Sequence, residues 1–387
     1  MRTICIVTAT RAEYGLMKCL IEDIYNDTEL KLQLIVTGSH LSPEFGYTIQ
    51  KIEEDNFPIS KKIEILLSSD SPIGVSKSMG LAQISFAEAF DELKPDIVLV
   101  LGDRYELLPI VSSANIARIP VAHLNGGEIT EGAIDEIIRH SVTKLSQIHF
   151  TAIDEYAKRV VQMGEQPETV FNVGEVGLDN FKRVSFLTKD EFEHSIGRSL
   201  KEKNILITYH PETTISVEDN INNFRQLLDS LDKLENTLLI FTKANTDVGG
   251  RAINAIIDSY VQDNEENSIA FSSLGQVRYL SALQYIDCVV GNSSSGIVEA
   301  PTFKVASINI GNRQLGRLSA NSVIHVKADT KQIDEALCEI YTPTYQQKLS
   351  VVKNPYGEGN SSNKVIQVLK NIDLASLNTK SFYNIDY

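Results

Sequence analysis

Short apolar runs alternate with amphipathic stretches from Thr3 almost to the end of the chain, and few folds accommodate that rhythm. The runs at 3–8, 31–37, 60–65, 97–101, 119–123, 147–151 and 169–173 are rich in Ile, Val and Leu, and Ile97-Val98-Leu99-Val100-Leu101 has no polar residue at all. A strand without polar alternation is buried on both faces, the condition of a parallel strand covered by helices. A second set at 204–209, 237–242, 268–272, 287–291, 305–310 and 323–326 begins after Gly174-Glu175-Val176-Gly177. The expectation is an α/β protein of two Rossmann-like doubly wound domains, 1–174 and 175–360, hinged near Gly174–Gly177. The remaining segment, 361–387, carries a helical pattern over Asn363–Ile372 that either caps the second domain or crosses back to the first; periodicity does not choose between these.

At 387 residues the chain exceeds one ordinary core, and its 42% hydrophobic and 22% charged residues are those of a globular protein. A formal net charge of -15 gives no general attraction for nucleic acid or anionic lipid, so an anionic ligand must be held by a local group of cations. No apolar run approaches the roughly 18 residues of a membrane span. Met1 leads straight into a strand-like run without the features of a signal peptide, and the four cysteines are far apart; the cytoplasm is the expected compartment. The seven histidines are scattered, so no metal site is expected.

In open parallel sheets, ligands bind beyond the carboxyl ends of the strands. In the second half, Cys288-Val289-Val290-Gly291 runs into Asn292-Ser293-Ser294-Ser295-Gly296. Such a loop offers backbone N–H groups, hydroxyls and a helix N-terminus to a phosphate. Ser293 and Ser294 serve equally well as helix caps. Glu299 is placed either to accept from ribose hydroxyls or to face solvent. Arg11, His210 and Arg313 each follow a strand, which favours a shared pyrophosphate over three solvated side chains. His210-Pro211 also reads as a turn, and Asn245 is a weaker ligand candidate in a turn-forming stretch.

In the first half, two neighbouring strand ends carry Gly102-Asp103-Arg104 and His123-Leu124-Asn125-Gly126-Gly127-Glu128, followed by Asp135 and Arg139-His140. Asp103, Glu128 and Asp135 are candidate acid–base groups, because carboxyls in a partly dry site titrate nearer neutrality. A salt-bridge network with Arg104, Arg139 and His140 accounts for the same residues. His123, ending an apolar strand, is the pattern of a satisfied structural histidine.

Taken together and in order, these segments resemble the UDP-N-acetylglucosamine 2-epimerase family, in particular its hydrolysing branch used in sialic acid biosynthesis. The likeness rests on Thr10-Arg11-Ala12-Glu13-Tyr14, Thr37-Gly38-Ser39-His40, Gly102-Asp103-Arg104, Gly126-Gly127-Glu128, Asp135 to His140, His210-Pro211-Glu212-Thr213, Gly291 to Gly296 and Arg313-Gln314-Leu315-Gly316-Arg317. It implies a type-B glycosyltransferase arrangement with the active site in the interdomain cleft and the terminal helix packed on the first domain. It also implies a homodimer or homotetramer and a UDP-sugar substrate, with no metal or redox cofactor. On that mapping Arg11, His210, Asn245, Ser293, Ser294, Glu299 and Arg313 contact the nucleotide, and Asp103, Arg104 and Asp135 face the sugar. The implied reaction converts UDP-N-acetylglucosamine and water to N-acetylmannosamine and UDP. Its rivals are the same chemistry on UDP-2,4-diacetamido-2,4,6-trideoxyglucose, a non-hydrolysing epimerase and a glycosyltransferase. One departure stands out: several relatives carry a glutamate where this chain has Asn125, and an amide is no base. Either Asn125 orients the sugar, or Glu128 or His123 takes over the proton transfer.

Overall fold

A computed structural model of the chain describes residues 1–67, 71–130, 134–212, 214–244 and 249–385. The chain forms two compact units. The first holds Met1–Glu128, Ile134–Arg183 and Tyr356–Tyr387, and the second is built on Val184–Pro355.

The first unit carries a seven-stranded parallel sheet of β1 (Arg2–Thr8), β2 (Leu30–Thr37), β3 (Ile59–Ile63), β4 (Ile97–Leu101), β5 (Val121–Leu124), β6 (Ile148–Thr151) and β7 (Val170–Asn172), in the order β3-β2-β1-β4-β5-β6-β7. The second carries six parallel strands, β8 (Lys203–Thr208), β9 (Thr237–Thr242), β10 (Ser268–Phe271), β11 (Cys288–Gly291), β12 (Ala306–Ile310) and β13 (Val323–Val326), in the order β10-β9-β8-β11-β12-β13. Each apolar run of the sequence lies on one of these strands. The expected start at Ile119 moves to Val121, because Ile119 returns its N–H to Ala114 O at 2.9 Å and Pro120 has none to give.

The uninterrupted apolarity of β4 follows from burial on both faces. Ile97, Leu99 and Leu101 enter one core with Ile4, Ile6 and Met17, while Val98 and Val100 enter another with Cys5, Val7 and Phe86. The period of two thus sorts one strand into two cores. In the second unit Ile205 and Ile207 of β8 share a core with Val290, Ile308 and Phe224. No helix among the described residues is long and apolar enough to cross a membrane.

The terminal helix, Ser361–Asn371, belongs to the first unit: Val365, Ile366 and Leu369 join the core of Ile4 and Met17. Its first two N–H groups, from Ser361 and Ser362, donate to the Asp179 carboxylate at 2.9 and 2.6 Å. The tail beyond it brings Lys380 to buried Glu165 at 2.7 Å, where His149 (2.9 Å) and Lys144 also bind. Although burial alone would raise the Glu165 carboxyl, these three donors hold it down at about 2, from an ordinary 4.5. A depressed carboxyl contributes stability above its unfolded value and loses it as the pH falls through the folded one. Glu165→Gln should therefore cost about 3 kcal/mol at neutral pH. The variant should also lack part of the parent's loss of stability between pH 4.5 and 2, read by denaturant titration at each pH.

Candidate functional site

Both sheets reverse strand order at a single place, between β1 and β4 in the first unit and between β8 and β11 in the second. The helices that follow diverge there, and the crevice they leave at the carboxyl ends is where such sheets take ligands. The sequence motifs flank these two points: Arg11 and Gly102-Asp103-Arg104 in one, His210 and Gly291 to Ser294 in the other.

In the second unit the two strand ends touch. Gly291 has φ 136°, and a Cβ there would lie 2.0 Å from Thr208 O, so only glycine passes. Beyond it, fully buried Asn292 accepts from His210 N and donates to His210 O, both at 2.7 Å. Its own carbonyl accepts from Arg313 Nη1 at 3.2 Å and Gln314 Nε2 at 2.9 Å. One residue therefore fastens the His210 and Arg313 loops to the end of β11. Glu212 adds a second tie, accepting from Asn312 N at 3.0 Å. The helix after the serines is a single turn, Ser295–Val298, so its dipole is smaller than the sequence suggested. Ser294 takes the capping position without a side-chain cap bond, whereas Ser293 Oγ accepts from Ser295 N at 3.4 Å. Ser293 and Ser294 are both half-exposed. Glu299 keeps one buried carboxyl oxygen without a hydrogen-bond partner, and burial raises its pKa. Asn245 lies outside the described residues.

In the first unit Arg11 opens the helix Arg11–Asn26, which starts with a reciprocal cap between Thr10 and Glu13. Glu13 is buried and is pushed up to about 7, chiefly by that burial. Arg139, 1% exposed, is the hub of the carboxylates: it binds Asp103, Glu136 at 2.9 Å and Glu128 O at 3.1 Å. Glu136 also meets His140 at 2.9 Å, and Arg104 reaches buried Glu106 at 3.4 Å. The ion-pair network that the sequence offered as an alternative is thus present and takes in Asp103. Asp135 has no ion-pair partner among the described residues. Burial, then the Asp103 charge, raises its pKa above the ordinary carboxylate value. The two carboxylates thus differ in character: Asp103 is paired with Arg139, whereas half-buried Asp135 has its pKa raised.

The loop after β5 is equally constrained. Gly127 has φ 79°, and a Cβ there would meet Tyr156 O at 2.4 Å. Glu128 is 6% exposed. His123 is wholly buried, with Nε2 2.7 Å from Gly102 O and Nδ1 3.2 Å from Thr143 Oγ. Burial lowers its pKa to about 3. That placement joins β4, β5 and the Ile134–Leu145 helix and removes His123 from the proton-transfer candidates. Half-buried Asn125 adopts φ 64° and donates from Nδ2 to Glu175 Oε2 at 2.9 Å. Arg139, Asn292 and Glu175 are thus central here without having been sequence candidates for a site. The sequence placed Arg139 one turn beyond Asp135, Asn292 in the Gly/Ser loop and Glu175 in the hinge segment, but gave no sign of the contacts each makes.

Residues 22–370 match the family described as UDP-N-acetylglucosamine 2-epimerase. The chain belongs to this family. Among its 2-epimerases, the chain is 45% identical over 385 residues to the GDP/UDP-N,N'-diacetylbacillosamine 2-epimerase (hydrolyzing) of Campylobacter jejuni, covering 99% of both chains. It is 32% identical to the UDP-N-acetylglucosamine 2-epimerase of Neisseria meningitidis serogroup B, over 87% of each chain. Among solved epimerases, the fold is similar to the Neisseria meningitidis UDP-GlcNAc 2-epimerase bound to UDP-GlcNAc, with a TM-score of 0.81 at 19% identity, covering 95% of this chain and 99% of that one. The pair of parallel sheets is the epimerase fold.

Proposed function

We propose that this chain is a hydrolysing 2-epimerase whose substrate is a UDP-linked 2,4-diacetamido-2,4,6-trideoxyglucose, the N,N'-diacetylbacillosamine sugar. The observation that carries the reading is the 45% identity, end to end, to a hydrolysing enzyme named for that sugar. The second reading is UDP-N-acetylglucosamine, favoured by the relative at 32% identity.

In this mechanism the C2 hydrogen is not adjacent to a carbonyl, so its removal depends on departure of UDP from C1. Arg11, His210, Arg313 and the N–H groups around Ser293 and Ser294 stabilise the leaving diphosphate. Asn245 and Glu299 are assigned to the nucleoside. A carboxylate takes the C2 proton and leaves a 2-acetamidoglucal. Water adds to C1 while an acid protonates C2 from the other face, which inverts that carbon. Two acid–base groups are needed, and Asp103 and Asp135 are assigned to them, with Glu128 as the supporting carboxylate and Arg104 beside the sugar. Asp135 suits the proton-delivering role because it holds a proton at higher pH than an ordinary aspartate.

The test is turnover of the two UDP-sugars in direct competition without any acceptor. A kcat/KM at least tenfold higher for the diacetamido sugar, with free UDP released, is the expected result. A preference for UDP-N-acetylglucosamine replaces the first reading by the second.

A further inference from the structure

A buried carboxylate stands directly behind Asn125. Glu175 is 4% exposed, whereas Asn125 is half-buried at the end of β5, so the glutamate lies on the inner side of the pair. Glu175 is fastened at three points: its N–H donates to Tyr356 O at 2.9 Å, its carbonyl accepts from Ser361 Oγ at 3.2 Å, and Oε1 accepts from Gly177 N at 3.3 Å. Its other oxygen, Oε2, takes the Asn125 amide. Asn125 is no freer, since its left-handed backbone donates to Phe150 O at 2.9 Å.

The chemistry of this contact has a direction. A carboxylate oxygen accepts and an amide NH2 only donates, so Glu175, whose other oxygen is taken by Gly177 N, sets Nδ2 as the end of Asn125 that meets it. Nδ2 is the end that meets Glu175, which leaves the carbonyl oxygen as the end turned away from it. A side chain oriented in this way presents an acceptor that cannot take up a proton.

We propose that Glu175 is a positioning residue of the sugar site: by anchoring the Asn125 NH2, it aims the Asn125 carbonyl outward as the acceptor for an N–H or O–H donor of the substrate sugar. This rests on the reading of the chain as a UDP-sugar epimerase. It makes Asn125 the contacting residue and Glu175 the group that acts through it. Reversing the polarity of Glu175 releases the amide, which then offers a donor where the sugar also has one.

The experiment uses the full chain and three variants, with affinities for UDP and for UDP-2,4-diacetamido-2,4,6-trideoxyglucose measured by calorimetry beside turnover. In Glu175→Gln the new amide donates to Asn125 and lets it flip. Affinity for the UDP-sugar should fall at least tenfold while UDP affinity stays within twofold. In the double variant Asn125→Asp with Glu175→Gln, the amide donates to a carboxylate that again shows an acceptor outward, and at least half of the lost affinity should return. Asn125→Asp alone sets two carboxyls against each other, so one must hold a proton. Its UDP-sugar affinity should fall as the pH rises, a limb that the double variant lacks. A loss of packing alone would produce neither the rescue nor the limb. UDP-sugar affinity within twofold of the parent in Glu175→Gln, or no rescue in the double variant, overturns the proposal. Should Glu175→Gln fail to fold, the limb in Asn125→Asp decides alone: its presence supports the lock and its absence overturns it. A parent that binds the UDP-sugar but releases no free sugar contradicts the hydrolysing reading and leaves these affinity ratios interpretable.

Discussion

Asp135→Asn is expected to lower turnover at least 100-fold while UDP affinity stays within twofold. An amide cannot exchange a proton with C2, and general acid–base groups contribute about 10²–10⁴-fold. The side chain is half-buried and has no ion-pair partner among the described residues, so the fold depends little on its charge. Its raised pKa gives a further signature. As the donor that protonates C2 it must hold a proton, so activity should fall as the pH rises through that raised value, and this limb should vanish from the residual activity of the variant. Asp103→Asn also removes a charge from buried Arg139, so it should lose both turnover and some stability. Near-normal turnover in both variants sinks the acid–base assignment.

Asn292→Asp should weaken UDP binding at least tenfold. The parent amide satisfies both the N–H and the carbonyl of His210 at 2.7 Å, and a carboxylate keeps the first bond but sets an oxygen against the carbonyl. A buried acceptor left unpaired costs about 1–3 kcal/mol, and repulsion adds to it. Arg313 and Gln314 bind the Asn292 backbone carbonyl, which survives the change, so the loss should come through the His210 loop. Affinities for UDP and UDP-sugar should fall by the same factor, in contrast to Asp135→Asn. Titration calorimetry with both ligands reads this directly, and a fall confined to the UDP-sugar counts against a nucleotide-side role.

The paired sheets were legible because burial on both faces leaves a trace in every strand. Val98 and Val100 alternate with Ile97, Leu99 and Leu101 between two cores, and none of the five admits a polar residue. That Gly102-Asp103-Arg104 and Asn292 to Ser294 would be loops was legible for a related reason, since each begins where a buried apolar strand stops. What supports those loops was not. Glu175 lies 50 residues from Asn125 and reads in sequence as part of a glycine-flanked hinge; only the adjacency of β5, β6 and β7 brings the two together. Asn292 reads as one more polar residue of a phosphate loop, yet its side chain is spent on the backbone of His210, 82 residues away. Periodicity marked the apolar stripe of the terminal helix but not the surface it would cover. That choice follows from Asp179, whose carboxylate takes the first two N–H groups of the helix.

In the proposed reaction UDP leaves before C2 is reprotonated, and incubation with the UDP-sugar in deuterated water separates this order from its alternatives. NMR should show free UDP and a free sugar inverted at C2, with one deuterium on that carbon, in the absence of any acceptor. A product that remains linked to UDP, or a free sugar that keeps its original hydrogen at C2, contradicts the account.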